Sequence, residues 1–200
     1  PTLQHVIDTF SHPDEVIEWY VADKGFQNDE INYCNEYVFS ILTSREWQIQ
    51  EGTLVRFRVA RQNFYNELER NKILEFNQYC IQQLKPWYMV SGMQAATSFN
   101  GIQSKIDIVD QARNFKGIYI EKFWDSVRMP YGIRSFDWLT YVSNDLSEKI
   151  GGIQKLQDSL KKAKLKFRNI SDGVLIQATE YPELIPNGTS DPEGYLKLNH

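Results

Sequence analysis

Two hundred residues, 42% of them hydrophobic and with a formal net charge of −4, suit one domain or at most two small ones. No apolar run approaches the roughly 18 residues of a membrane span, and the first twelve residues, which hold His5, Asp8 and His12, do not read as a signal peptide. Two cysteines, Cys34 and Cys80, are too few for a disulfide framework or a four-cysteine metal site; both are expected as small buried hydrophobes in a reducing compartment.

Leu3, Val6, Ile7 and Phe10 have helical spacing, and His12-Pro13 ends that helix because a residue before proline avoids the helical region. Pro13 then opens a second short helix through Tyr20, with Asp14 and Glu15 at its positive end and Val16, Trp19 and Tyr20 inward. Asp23-Lys24-Gly25 is a turn. Asn28 caps a longer helix to about Thr43, with Asp29 and Glu30 in its first turn and Ile31, Cys34, Val38 and Ile41 as its core stripe. After a turn at Glu51-Gly52, Leu54 to Val59 alternates Leu54, Arg56, Arg58 with Val55, Phe57, Val59, the pattern of a half-exposed strand.

Residues 66–84 are the longest predicted helix, with Leu68, Ile73, Phe76, Cys80 and Leu84 along one side and Pro86 ending it. Trp87 to Met93 is a second strand. A loop over Ser98–Gly101, a helix over Ile102–Ala112 and a short strand over Gly117–Glu121 follow, and Pro130 and Gly132 break the next segment. The chain is organised around Ile133–Gly152. Its dense run Phe136, Trp138, Leu139, Tyr141, Val142 suits a strand covered on both faces. Asn144 as N-cap, Asp145 in the first turn and Lys149 in the last define a short helix, closed by Gly151-Gly152. A further helix carries Ile153, Leu156, Leu160 and Ala163 on one face.

Leu165–Ile170 and Val174–Ala178 flank Ser171-Asp172-Gly173, a strong hairpin signal. Pro182, Pro186, Asn187-Gly188 and Pro192 make an irregular tail, and Tyr195–Leu198 begins a last helix. The expected fold is α+β, a single domain over residues 1–200 with a mostly antiparallel sheet and helices packed against it.

In their order and spacing, Trp138-Leu139-Thr140, a short helix and Gly151-Gly152 resemble the C-terminal signature of the type VI immunity family. Gly173-Val-Leu-Ile-Gln-Ala178, Pro182, Asn187, Pro192 and Tyr195 extend the resemblance over about the last 70 residues, 133–198 holding the signature. Val55-Arg-Phe-Arg58 and Gly117-Ile-Tyr-Ile-Glu121 are weaker echoes upstream. One position departs: Thr179 stands where the family usually has Gly after the Gln-Ala pair. The resemblance implies a cytoplasmic immunity protein that protects a bacterium from its own type VI secretion toxins. Such a protein is not an enzyme, needs no cofactor, and has the toxin as its partner.

The residues themselves offer little catalytic chemistry. His5 and His12 lie near Asp8, Asp14 and Glu15, but their spacing matches no ordinary ligand pair and Pro13 intervenes. Asp14/Glu15 and Asp29/Glu30 sit at predicted helix starts, where dipole effects account for them. No phosphate loop or nucleophile elbow is present. Trp138 reads as core rather than as a stacking platform. The basic run Lys155, Lys161, Lys162, Lys164, Lys166 and Arg168 lacks interleaved aromatics, so neither nucleic acid nor a membrane is an expected partner.

The charge is unevenly spread. Residues 1–51 hold ten acidic and two basic residues, and the remainder sixteen and twenty. An acidic face attracts a basic partner, and a nuclease keeps a basic cleft for its polyanionic substrate. The reading is an inhibitor that occludes a type VI effector, with a nuclease favoured and Glu18, Asp23, Asp29, Glu30 and Glu36 facing it. The alternatives are a small hydrolase using an Asp/Glu pair and a structural accessory protein of the secretion apparatus.

Overall fold

The computed structural model describes residues 18–22, 37–42, 54–59, 66–93, 113–116, 136–183, 185–190 and 193–198. The chain divides into two units, Pro1–Ala60 with Glu121–Tyr131, and Arg61–Ile120 with Gly132–His200.

In the first unit three aromatic and β-branched runs pair as an antiparallel sheet in the order β1-β2-β3: β1 Glu18–Ala22, β2 Tyr37–Leu42 and β3 Leu54–Val59. Two expectations are corrected. The helix through Tyr20 and the helix through Thr43 both give way to strands where they are described. Val38 and Ile41 have helical spacing, but Tyr37-Val-Phe-Ser-Ile-Leu42 suits a pleated surface, and pairs such as Trp19 with Ile41 and Phe39 with Phe57 settle the competition. β3 is a strand as its alternation predicts, but its apolar positions Val55 and Phe57 retain 37% and 42% exposure, where the alternation makes the Arg56 and Arg58 side the exposed one. The expected helix over Leu3–Phe10, the turns at Asp23–Gly25 and Glu51–Gly52, and the first parts of the two corrected helices lie outside the described residues.

The second unit opens with α1, Glu67–Leu84. Asn66 caps it, its side-chain oxygen accepting the Leu68 N–H at 2.9 Å and the Glu69 N–H at 3.3 Å. Lys85 leaves the helix in the left-handed region (φ 44°), directly before Pro86. The core stripe is shifted from its predicted line. Ile81 is fully buried, Ile73, Phe76 and Cys80 are half-buried, and Leu68 and Leu84 are 63% and 55% exposed. The inward line runs Ile73, Asn77, Ile81 at i, i+4 intervals; Leu68 falls off it and Leu84 lies in the last turn, off the same line.

Four antiparallel strands form the main sheet, in the order β4-β6-β8-β7: β4 Tyr88–Ser91, β6 Leu139–Ser143, β7 Lys166–Ile170 and β8 Gly173–Gln177. A two-stranded ribbon pairs β5, Phe115–Lys116, with β9, Ile185–Pro186. The helices are α2 Asn144–Lys149, α3 Ile153–Lys162 and α4 Glu193–Leu198. The fold is therefore α+β with antiparallel sheets. The predicted loop over Ser98–Gly101, helix over Ile102–Ala112 and strand over Gly117–Glu121 lie outside the described residues.

All five residues of β6 are buried, as its run of large apolar side chains predicts. On one face, Leu160, Leu165, Val174 and Ile176 form a core joined by Phe136, Ile153, Leu156, Ala163 and Phe167. The apolar face of α3 is thus the one its spacing predicts. The N-cap of α2 is corrected from Asn144 to Ser143, whose hydroxyl oxygen accepts the Leu146 N–H at 3.1 Å. Asn144 is instead the first helical residue, and its N–H donates to the Asp172 carbonyl at 2.7 Å, tying α2 to the β7–β8 turn. That turn is two residues long, with Ile170 opposite Gly173 and Ser171 at φ 51°. Gly173 is required there, because a Cβ would strike the Val142 carbonyl and the Tyr141 phenol.

Candidate partner-binding surface

The signature segment is built from its own backbone bonds. The Asp137 carboxylate accepts the Trp138 N–H at 2.7 Å, and the Thr140 hydroxyl accepts the Asp137 N–H at 3.0 Å. Gly92 lets the Asp137 carboxylate lie directly against the end of β4. Trp138 is fully buried; its indole N–H donates to the Thr179 carbonyl at 3.1 Å, and its own carbonyl accepts the Ala178 N–H at 2.9 Å. Trp138 is therefore core, and its polar edge fastens the start of β6 to the end of β8. Thr179 serves through a main-chain carbonyl that any residue supplies, while its hydroxyl donates to the Tyr181 carbonyl at 2.7 Å. Arg70 of α1 holds the same loop, 3.5 Å from the Glu180 carboxylate and 5.8 Å from the Tyr181 ring centroid.

Other signature residues are structural in the same way. Pro182 is buried. The Asn187 side-chain amide donates to the Arg113 carbonyl, and its N–H donates to the Asn114 carbonyl at 2.9 Å, beside the β5–β9 ribbon. Gly151 and Gly152 take φ of 114° and 95°, which joins α2 to α3 without a Cβ penalty.

The buried polar side chains of the described residues, Asp137, Thr140, Ser143 and Ser147, all bond backbone groups. Burial raises the pKa of the Cys80 thiol, which disfavours the thiolate a nucleophile requires. Burial and then the charge of Asp172 push the Tyr141 phenol up to about 12. The Ser171 hydroxyl, first among several hydrogen bonds, holds the Asp172 carboxyl below the usual range. Among the described residues no three His, Cys, Asp or Glu side chains group as a metal site, and no described helix is long and apolar enough to cross a membrane.

Of the five carboxylates expected to meet a partner, Glu18 begins β1, opposite Leu42. Asp23, Asp29, Glu30 and Glu36 lie outside the described residues. The charge asymmetry follows the division of the chain: the first unit carries twelve acidic and six basic residues, the second fourteen and sixteen. Lys155, Lys161, Lys162, Lys164, Lys166 and Arg168 are all exposed on α3, the turn after it and β7. Sequence reasoning missed two of the three strands of the first unit, β1 and β2. The signal was the aromatic and β-branched run Tyr37–Leu42.

The family model for TsiV, type VI immunity for VRR-NUC, matches residues 2–200. Among solved structures, the chain is similar to the Pseudomonas aeruginosa T6SS protein PA0821, with a TM-score of 0.77 at 20% identity, over 100% of this chain and 56% of that one. The chain thus spans little more than half the length of that relative, and the likeness is one of fold. No curated protein matches it. The match extends upstream through the part of the sequence where the signature is weakest, and the protein belongs to the TsiV family, type VI immunity for VRR-NUC.

Proposed function

We propose that this protein binds a VRR-NUC nuclease delivered by type VI secretion and neutralises it in the cytoplasm by covering its substrate cleft. The observation that carries this reading is the family match over residues 2–200. The net −6 of the first unit supports it, since an acidic surface competes for a cleft built to hold phosphates and speeds association with it. Glu18, Asp23, Asp29, Glu30 and Glu36 are the steering residues in this reading. Inhibition is by binding, without catalysis, and uses a standard interface of roughly 1,600 Å² in total. The whole chain, residues 1–200, acts as a single domain.

The test is co-expression with the nuclease encoded beside this chain's gene, followed by DNA cleavage assays on purified proteins. The expected result is restored growth and cleavage that falls to zero at one equivalent of inhibitor. Cleavage that persists at several equivalents overturns the reading.

A further inference from the structure

Between Lys155 and Arg168 the chain carries six cations and a single carboxylate, Asp158, although its net charge is −4. All six cations are exposed. The fold gathers five of them. α3 closes where the Leu165 N–H donates to the Leu160 carbonyl at 3.0 Å, with Lys164 in the left-handed region at φ 56°. The chain then returns as β7, which runs beside α3: the Gln157 side-chain amide donates to the Asn169 side chain at 2.9 Å. Lys161, Lys162, Lys164 and Lys166 therefore lie around one corner, and Arg168 shares a face of β7 with Lys166. Lys161 stands 3.5 Å from Asp158, and the Glu193 carboxyl on which Lys164 acts is already held by Lys197. Among the described residues Lys162, Lys166 and Arg168 make no ion pair. Attraction to the helix dipole accounts for Lys161 and Lys162 in the last turn of α3, but it does not reach Lys166 and Arg168. β7 is an edge strand, and charges there keep a second copy from pairing with it.

The ridge selects its occupant by charge and by what it lacks. Like charges this close repel one another, and a polyanion relieves that repulsion. None of the apolar residues from Leu156 to Phe167 is exposed, so nothing is offered for insertion into a lipid surface. A single nucleic-acid strand wants aromatic platforms for its bases. A duplex wants none: it is held through its phosphates, which release counterions when lysines replace them. We infer that the ridge Lys161, Lys162, Lys164, Lys166 and Arg168 binds the phosphate backbone of duplex DNA without reading its sequence. The negative charge of the rest of the chain opposes this binding, which is therefore weak and confined to low salt. The ridge is separate from the nuclease-binding reading above and stands or falls without it.

The test uses the full chain alone, with no nuclease present, and a fluorescent duplex of about 20 base pairs whose anisotropy is followed from roughly 50 to 200 mM salt. Affinity should fall by about a hundredfold over that range. Lys162→Gln with Lys166→Gln should raise Kd at the low-salt end by about tenfold and flatten the salt slope by about 2, because each phosphate contact contributes roughly 0.9. The control pair, Lys72→Gln with Lys85→Gln, takes the same charge from α1 and its C-cap and should change Kd by less than about threefold. Competition on the unmutated protein needs no variant to fold. Unlabelled duplex of a different sequence should displace the probe as well as its own sequence does, and polyglutamate of equal charge should need about tenfold more. Three results overturn the proposal: no binding at the low-salt end, a ridge pair that binds like the control pair, or polyglutamate that competes as well as DNA. Each leaves the nuclease reading standing.

Discussion

The two larger sheets of this protein use similar residues to different ends. In β6 and β8, Leu139, Tyr141, Val142, Val174, Leu175 and Ile176 are at most 2% exposed. In β3, Val55 and Phe57 keep more than a third of their surface. The first sheet spends its apolar area on its own core. The second has apolar area left over, and it belongs to the unit that carries the negative charge. The signature residues by which the family resemblance is visible lie mostly in the first kind of region. The sequence that looks most like the family is therefore its scaffold.

The largest effect should come from the scaffold. Trp138→Ala empties a fully buried site and leaves the Thr179 carbonyl without its indole donor. A stability loss of about 3–5 kcal/mol is expected, measured by denaturant unfolding. If the variant loses less than about 1 kcal/mol, the contrast between a fully buried sheet and one with exposed apolar positions fails at its best-supported point.

Next in size is an effect on rate. Reversing Glu18, Asp23, Asp29, Glu30 and Glu36 to Lys should slow association with the nuclease on the order of tenfold at low salt, and the defect should shrink as ionic strength rises. Reversing Lys161, Lys162 and Lys164 should change little. Stopped-flow association against salt checks both sets. A slowdown confined to the lysine variant would move recognition to the second unit.

Legibility in the sequence followed how local the deciding interactions are. α3 was legible because Ile153, Leu156, Leu160 and Ala163 share one helical face that packs where that face points. The hairpin at Ser171-Asp172 was legible because a two-residue turn carries its own signature. β1 and β2 were not legible. Val38 and Ile41 have helical spacing, and only pairing with Ala22 and Trp19 on one side and with Arg58 and Val55 on the other decides for the strand. The candidate surface was half legible for the same reason: its charge can be counted along the chain, but the pairing of β1, β2 and β3 joins three distant segments.

A smaller effect tests the corrected cap of α2. Ser143→Ala removes the acceptor for the Leu146 N–H and should cost about 1 kcal/mol, whereas Asn144→Ala should cost less. Thermal unfolding of the two variants side by side is sufficient. Equal losses would return the cap to Asn144.

The smallest effect at neutral pH concerns Tyr141, whose buried hydroxyl makes no well-formed hydrogen bond and has the Asp172 carboxylate as its polar neighbour. Removing a polar atom that gains nothing from the fold should be close to neutral, so Tyr141→Phe should change stability by less than about 0.5 kcal/mol at pH 7. Its signature is at high pH. The phenol is pushed from 10 up to about 12 in the folded state, by burial first and by Asp172 second. The folded protein therefore holds this proton more tightly than the unfolded chain does. The stability that follows is fully present below pH 10 and is lost as pH rises through the folded value. The phenylalanine variant cannot lose it. Parent and variant should unfold together at pH 8, and the variant should be the more stable of the two at pH 11. A destabilisation of more than about 1 kcal/mol at pH 7 would mean that the hydroxyl is bonded after all. The Tyr141 hydroxyl and the Asp172 carboxylate would then tie the main sheet to the β7–β8 turn.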